Sequence, residues 1–164
     1  MNLSMEDQIL ATRKFFEEGV PSILSTLNKD AEPIWGLMTP QHMVEHLIVT
    51  FKMSVGRIKI PVVSKTEDQP RLRDYLIKDS PMRRSVPSPT GRNELQPLRS
   101  KSLKEAIEKL LENINDYLKF TEEAPDFVAS HPYGGYMTSR EWLLFHRKHC
   151  KHHFIQFGLI PDYE

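Results

Sequence analysis

Apolar residues along this chain recur mostly at intervals of three and four, the spacing that gathers them on one face of a helix. The clearest run follows Ser102: Leu103, Ile107, Leu110, Leu111, Ile114 and Leu118 form a stripe, and Ser102 with Glu105 has capping-box spacing. A helix is expected there to about Thr121. Thr39-Pro40 joins an N-cap residue to a proline suited to the first helical position, predicting a helix to about Arg57, closed near Gly56 and Pro61. Thr138 and Glu141 repeat the capping-box spacing ahead of a helix to Phe157, where Gly158 and Pro161 stop it. At the start, Ile9, Phe16, Val20, Ile23 and Leu27 keep helical intervals. Gly19 and Pro21 predict a break or a bend there, with one helix to about Glu18 and a short second piece after Pro21. No run alternates long enough to predict a half-buried strand.

Four helical segments predict an all-α fold, a four-helix bundle with one long crossover connection between helices 2 and 3. That crossover, Pro61 to Pro97, holds six prolines and one short helical stretch, Asp74 to Lys78. So long a connection is functional or partly disordered. Neither flank can build a core of its own, so residues 1–164 are expected to form a single domain.

Charge narrows the function. Lys+Arg and Asp+Glu are equal at 22 each, which argues against a nucleic-acid partner. No stretch approaches the roughly 20 apolar residues of a spanning helix, so no membrane partner is expected. The N-terminal MNLSMEDQIL has neither a cationic flank nor an apolar core, and the single cysteine, Cys150, suits a reducing compartment. A cytoplasmic location is the expectation, with Cys150 as a buried, inert thiol. The neutral total hides a local excess: Arg71 to Lys104 contains nine basic and three acidic residues. Arg83 and Arg84 are the candidate anion-binding pair there, since the planar guanidinium suits carboxylate and phosphate.

Histidine changes the picture most. Four of the seven lie between 146 and 153. At about 100° per residue, His153 and His146 fall about 40° and about 60° from His149, on one face with Trp142, Phe145, Gln156 and Phe157. Arg140, Arg147 and Lys151 fall on the opposite side. In the second helix His42 lies about 40° from His46, and a second apolar face carries Val44, Ile48 and Phe51. That helix is therefore expected to be central, or buried in a homodimer. Imidazoles four residues apart suit chelation of one ion, and a third from the facing helix would leave a coordination position open. Spacing alone leaves the set open between His42 and His46, with His146/His149 and His149/His152 as alternative pairs three apart, and a four-His site of His42, His46, His149 and His153 is also conceivable.

The string Trp35-Gly36-Leu37-Met38-Thr39-Pro40-Gln41-His42-Met43-Val44-Glu45-His46-Leu47 resembles the second-helix motif of the DinB/YfiT-like superfamily of metal-binding four-helix bundles. His149-Cys150-Lys151-His152-His153-Phe154-Ile155-Gln156 resembles its fourth-helix motif. His131-Pro132-Tyr133-Gly134-Gly135 through Glu141-Trp142 resembles an uncharacterised DinB-like subfamily. The resemblance implies a divalent metal, zinc or nickel foremost, held by His46, His149 and His153. It leaves His42 near the site but not a ligand, like His152. His146, Trp142 and Gln156 are the remaining second-shell or pocket candidates. Characterised relatives include transferases and isomerases that use low-molecular-weight thiols, so the expected function is a metal-dependent enzyme of that kind acting on a small molecule. A metal-dependent hydrolase, or a non-catalytic metal-binding or stress-response module, are the alternatives. No catalytic acid or base is identified.

Overall fold

The computed structural model describes residues 2–84 and 86–164 and is mostly helical, with one two-stranded sheet. The chain begins with α1 (Met5–Lys14), whose N-cap Ser4 accepts a hydrogen bond from Asp7 N–H. The chain stays helical through Gly19 and Pro21, where a break or a bend is expected, but it changes helix type there. A π-helical turn, Phe15–Gly19, leads directly into α2 (Val20–Leu24), and Val20 N–H bonds to Phe15 O, five residues back. A proline ring collides with the carbonyl four residues before it in a regular helix. The wider turn moves that carbonyl aside, so Pro21 is accommodated and Phe16, Val20 and Leu24 stay on one buried face.

α3 (Pro40–Ser54) starts as expected: Thr39 Oγ1 accepts from His42 N–H, and Pro40 sits at the first helical position. It ends at Gly56, whose φ of +75° a residue with a Cβ rarely adopts. The crossover carries a 3₁₀ turn, Thr66–Asp68, and α4 (Gln69–Ile77), longer than the Asp74–Lys78 expectation. α5 (Leu103–Glu123) is capped by Ser102 Oγ accepting from Glu105 N–H, while the Glu105 carboxylate accepts from Lys101 N–H. α6 (Ser139–Gln156) has the full capping box: Thr138 Oγ1 accepts from Glu141 N–H and the Glu141 carboxylate from Thr138 N–H.

Two strands were not anticipated. β1 (Val128–His131) and β2 (Gly135–Thr138) form an antiparallel hairpin with Val128 opposite Thr138 and His131 opposite Gly135. Each strand is four residues, too short for alternation to stand out. The turn is organised by His131, whose Nδ1 accepts from Tyr133 N–H (3.1 Å) and Gly134 N–H (3.2 Å). Gly135 has φ +67°, and a Cβ on it would collide with the Gln69 side chain.

α3 packs between α5 on one side and α6 and β1 on the other, which accounts for its two apolar faces. α6, rather than α3, is the most enclosed helix: every residue from Trp142 to Cys150 is buried, with α1, α3, α4 and β2 packed around it. Arg147 is therefore not on a solvent face as helical arithmetic suggested. Its Nη1 donates to Thr12 Oγ1 of α1 (3.1 Å). Next to it, Lys148 Nζ donates to Tyr75 O and Ser80 Oγ, pinning the crossover to α6. Further bonds hold the crossover against the hairpin, from Val63 N–H to Pro132 O and from Tyr133 OH to Pro87 O. No helix among the described residues is long and apolar enough to cross a membrane.

Candidate metal centre

The caps of α3 and α6 set where each helix begins, and the packing of one on the other sets which imidazoles meet. His46 from α3 faces His149 and His153 from α6. His46 Nε2 lies 3.0 Å from His149 Nε2, which lies 3.1 Å from His153 Nε2. One ligand atom from each ring can be chosen so that all three lie within 4.8 Å of one another. The rings stand edge-on to each other, with centroids 4.7 to 4.9 Å apart. His149 and His153 are buried and His46 is half-buried.

Burial, and secondarily repulsion from His152, pushes His46 down to about 4. His149 and His153 lie well below the usual histidine range, burial again being the largest cause and their mutual neighbours the next. All three rings are thus neutral at pH 7, the form that offers a lone pair to a cation. Nitrogens bonded at about 2.0–2.1 Å to one cation stand about 2.9 Å apart at right angles and about 3.4 Å apart at tetrahedral angles. The two short separations fall within that interval, so the donor set fits a divalent ion.

The neighbouring candidates have other duties. His42 does not join the cluster. Its Nδ1 lies 2.6 Å from Thr39 Oγ1 and its Nε2 3.0 Å from Gln96 O, tying the end of the crossover to the start of α3. The four-His alternative is therefore not what forms. Glu45 works beside it: its carboxylate accepts from Gln41 Nε2, Arg99 N–H and Ser100 N–H. Burial raises the Glu45 pKa, but these bonds, Gln41 first, outweigh it and leave the carboxyl below its usual range. His146 is fully buried, stacked on Phe51 with centroids 3.8 Å apart, and its Nε2 lies 2.9 Å from Ser54 Oγ. Trp142 donates from Nε1 to Ala129 O and packs on His131, Phe145 and His146. Both are core residues that lock α6 to α3 and the hairpin, not pocket walls. Cys150 is buried, and burial pushes its thiol up, away from thiolate formation.

Gln156 does reach the cluster. Its Oε1 lies 2.7 Å from His153 Nδ1, and its Nε2 donates to Trp35 O at 2.9 Å. What Trp35 supplies is its backbone carbonyl, not its ring. Its ring lies 5.3 Å from that of His152 and carries the Arg84 guanidinium 3.9 Å from its centroid. The Arg84 side chain also pairs with Asp162, so its charge is already matched. The cavity it borders, with Trp35, Lys148, His152 and Tyr163, measures about 30 Å³, room for about one water. Arg83 is held by its N–H donating to Tyr75 OH. The small cavity that Arg84 borders is lined by none of His46, His149 and His153. The larger hollow, about 780 Å³, is lined by Leu24, Leu27, Leu98, Leu103 and Ile107, and none of the three clustered histidines borders it.

No family model, curated protein or solved structure matches this chain. The functional reading therefore rests on the cluster itself.

Proposed function

We propose that the protein is a metal-dependent enzyme of the DinB-like type, a four-helix bundle built on α1–α2, α3, α5 and α6. The observation that carries the metal reading is the convergence of His46, His149 and His153 from two helices, the first half-buried and the other two buried, with ligand atoms within 4.8 Å of one another. Supporting the bundle reading are the packing of α6 on α1 and α3, that of α3 on α5, and the long crossover that joins α3 to α5. Supporting the family reading are the two motifs around Gln41-His42-Met43-Val44-Glu45-His46 and His149-Cys150-Lys151-His152-His153.

In this reading the three imidazoles hold a divalent ion, zinc or nickel foremost. A cation there lowers the pKa of a thiol or water bound in its remaining positions, which makes a nucleophile at neutral pH. The protein's own part is to orient and to exclude water. Phe145 lies stacked against His149 with centroids 5.2 Å apart and fixes that ring. Thr39, Glu45 and His42 hold the end of the crossover against α3 close to His46, the least buried of the three. A small thiol-bearing cosubstrate is the preferred partner because three imidazoles leave room for an exogenous sulfur ligand while Cys150, the chain's one thiol, is enclosed.

The test uses untagged protein loaded with cobalt(II), whose visible spectrum reports ligand number. One equivalent should bind, and a low-molecular-weight thiol should then add a sulfur-to-cobalt charge-transfer band. Binding that persists in His149→Ala refutes the metal centre. Stoichiometric binding with no thiol band, and hydrolysis of activated esters instead, turns the reading to a hydrolase. Binding with no exchangeable position leaves a non-catalytic module.

A further inference from the structure

Gln156 sits at the end of α6, where the segment from Ile34 to Gly36 wraps over it. Ile34 N–H donates to Gln156 O at 2.7 Å. Gly36 adopts φ +81°, and a Cβ on it would stand 3.0 Å from Gln156 Nε2. Through this close approach the Gln156 amide reaches the Trp35 carbonyl at 2.9 Å. A carbonyl only accepts, so the amide nitrogen must face Trp35 and the amide oxygen must face His153. That oxygen also only accepts, and it lies 2.7 Å from His153 Nδ1. The hydrogen is therefore on Nδ1. A neutral imidazole carries a single N–H, which leaves Nε2 bare and directed at His149 Nε2, 3.1 Å away.

We propose that Gln156, oriented by the Trp35 carbonyl, is a positioning residue of the metal centre that locks His153 in its Nδ1–H tautomer and presents the Nε2 lone pair to the cation. His149 has no such support, since its buried Nδ1 is without a hydrogen-bond partner among the described residues. The cluster is thus built asymmetrically: His153 is buttressed by a hydrogen-bond chain to the backbone, and His149 by stacking on Phe145. The affinity consequence rests on the metal reading above, whereas the tautomer assignment stands without it. Loss of an outer-shell hydrogen bond of this kind weakens metal binding about 10- to 100-fold.

The experiment has two arms. In the first, long-range ¹⁵N–¹H correlation spectra of the metal-free full chain at neutral pH should show His153 with a protonated Nδ1 and an unprotonated Nε2. In the second, cobalt and zinc affinities are measured for wild type, Gln156→Met and Gln156→Glu. The methionine variant keeps the shape and removes the acceptor, so its affinity should fall about 10- to 100-fold. The glutamate variant restores an acceptor to His153 but not the donor to the Trp35 carbonyl, so it should recover the Nδ1–H signature and part of the affinity. An Nε2–H tautomer in wild type overturns the proposal. So does a methionine variant that keeps both wild-type tautomer and affinity. Should Gln156→Met fail to fold, the wild-type spectrum and the glutamate variant decide it. A wild type that takes up no metal refutes the metal reading alone, while the first arm still tests the tautomer.

Discussion

Replacing His149 by leucine separates the stability of this protein from its metal chemistry. In the metal-free chain His149 is a buried imidazole whose Nδ1 lacks a partner among the described residues, and an orphaned buried polar atom costs about 1–3 kcal/mol. Its Nε2 faces two others at 3.0 and 3.1 Å, of which one at most is supplied with a hydrogen from His149, a bond with a net value of about 1 kcal/mol. Leucine has a similar volume and can pack on Phe145, so relief of the orphaned Nδ1 offsets both the lost bond and the His153 Nε2 acceptor left unpaired. His149→Leu should therefore unfold within about 1 kcal/mol of metal-free wild type. Metal changes the comparison: at 100 times its dissociation constant a ligand that binds only the folded state adds about 2.7 kcal/mol. For a chain of this size that is about 5–11 °C in Tm. Scanning calorimetry with chelator and then with excess zinc should show the wild-type transition rise by that amount and the variant's stay fixed. A variant several kcal/mol less stable in chelator would mean the imidazole is a structural hydrogen-bonding residue. A variant that responds to zinc like wild type would mean the ion binds elsewhere.

Acid should destabilise the fold through its buried neutral histidines. Burial lowers His131 from 6.5 to about 4, so the unfolded chain takes up a proton before the folded one does. Stability from this residue is fully present above pH 6.5 and is lost as pH falls toward 4, by up to about 3 kcal/mol. His131→Asn keeps an acceptor for the hairpin turn and should flatten that part of the profile in denaturant melts; an unchanged slope between pH 6.5 and 4.5 would contradict it. Thr138→Ala removes the α6 cap and should cost about 1 kcal/mol, measurable as a lower Tm, with metal affinity unchanged because His149 lies three turns further on. Gly135→Ala should cost more than 1 kcal/mol in chemical denaturation, combining a positive φ with the clash on Gln69.

The helices were legible because their signals are local. Thr39-Pro40, Ser102 with Glu105, and Thr138 with Glu141 each act within one turn of chain, and all three mark observed helix starts. The histidine spacing in α6 was legible for the same reason, since residues four apart on a helix must share a face. What depends on distant partners was not. The chain by itself left His42 and His46 open, because both lie on the same side of α3; the packing of α3 on α6 brings His46 to the cluster, and the Gln96 carbonyl engages His42. Periodicity placed Arg147 outside, yet α1 covers it, since exposure belongs to the assembly of helices and not to one of them. The hairpin escaped notice because four-residue strands carry too few alternations, and its turn is set by a histidine nitrogen accepting from two backbone N–H groups. The role of Trp35 left no trace at all, for any residue at that position would offer the same carbonyl. Only the close approach of Gly36 to the end of α6 puts it beside Gln156.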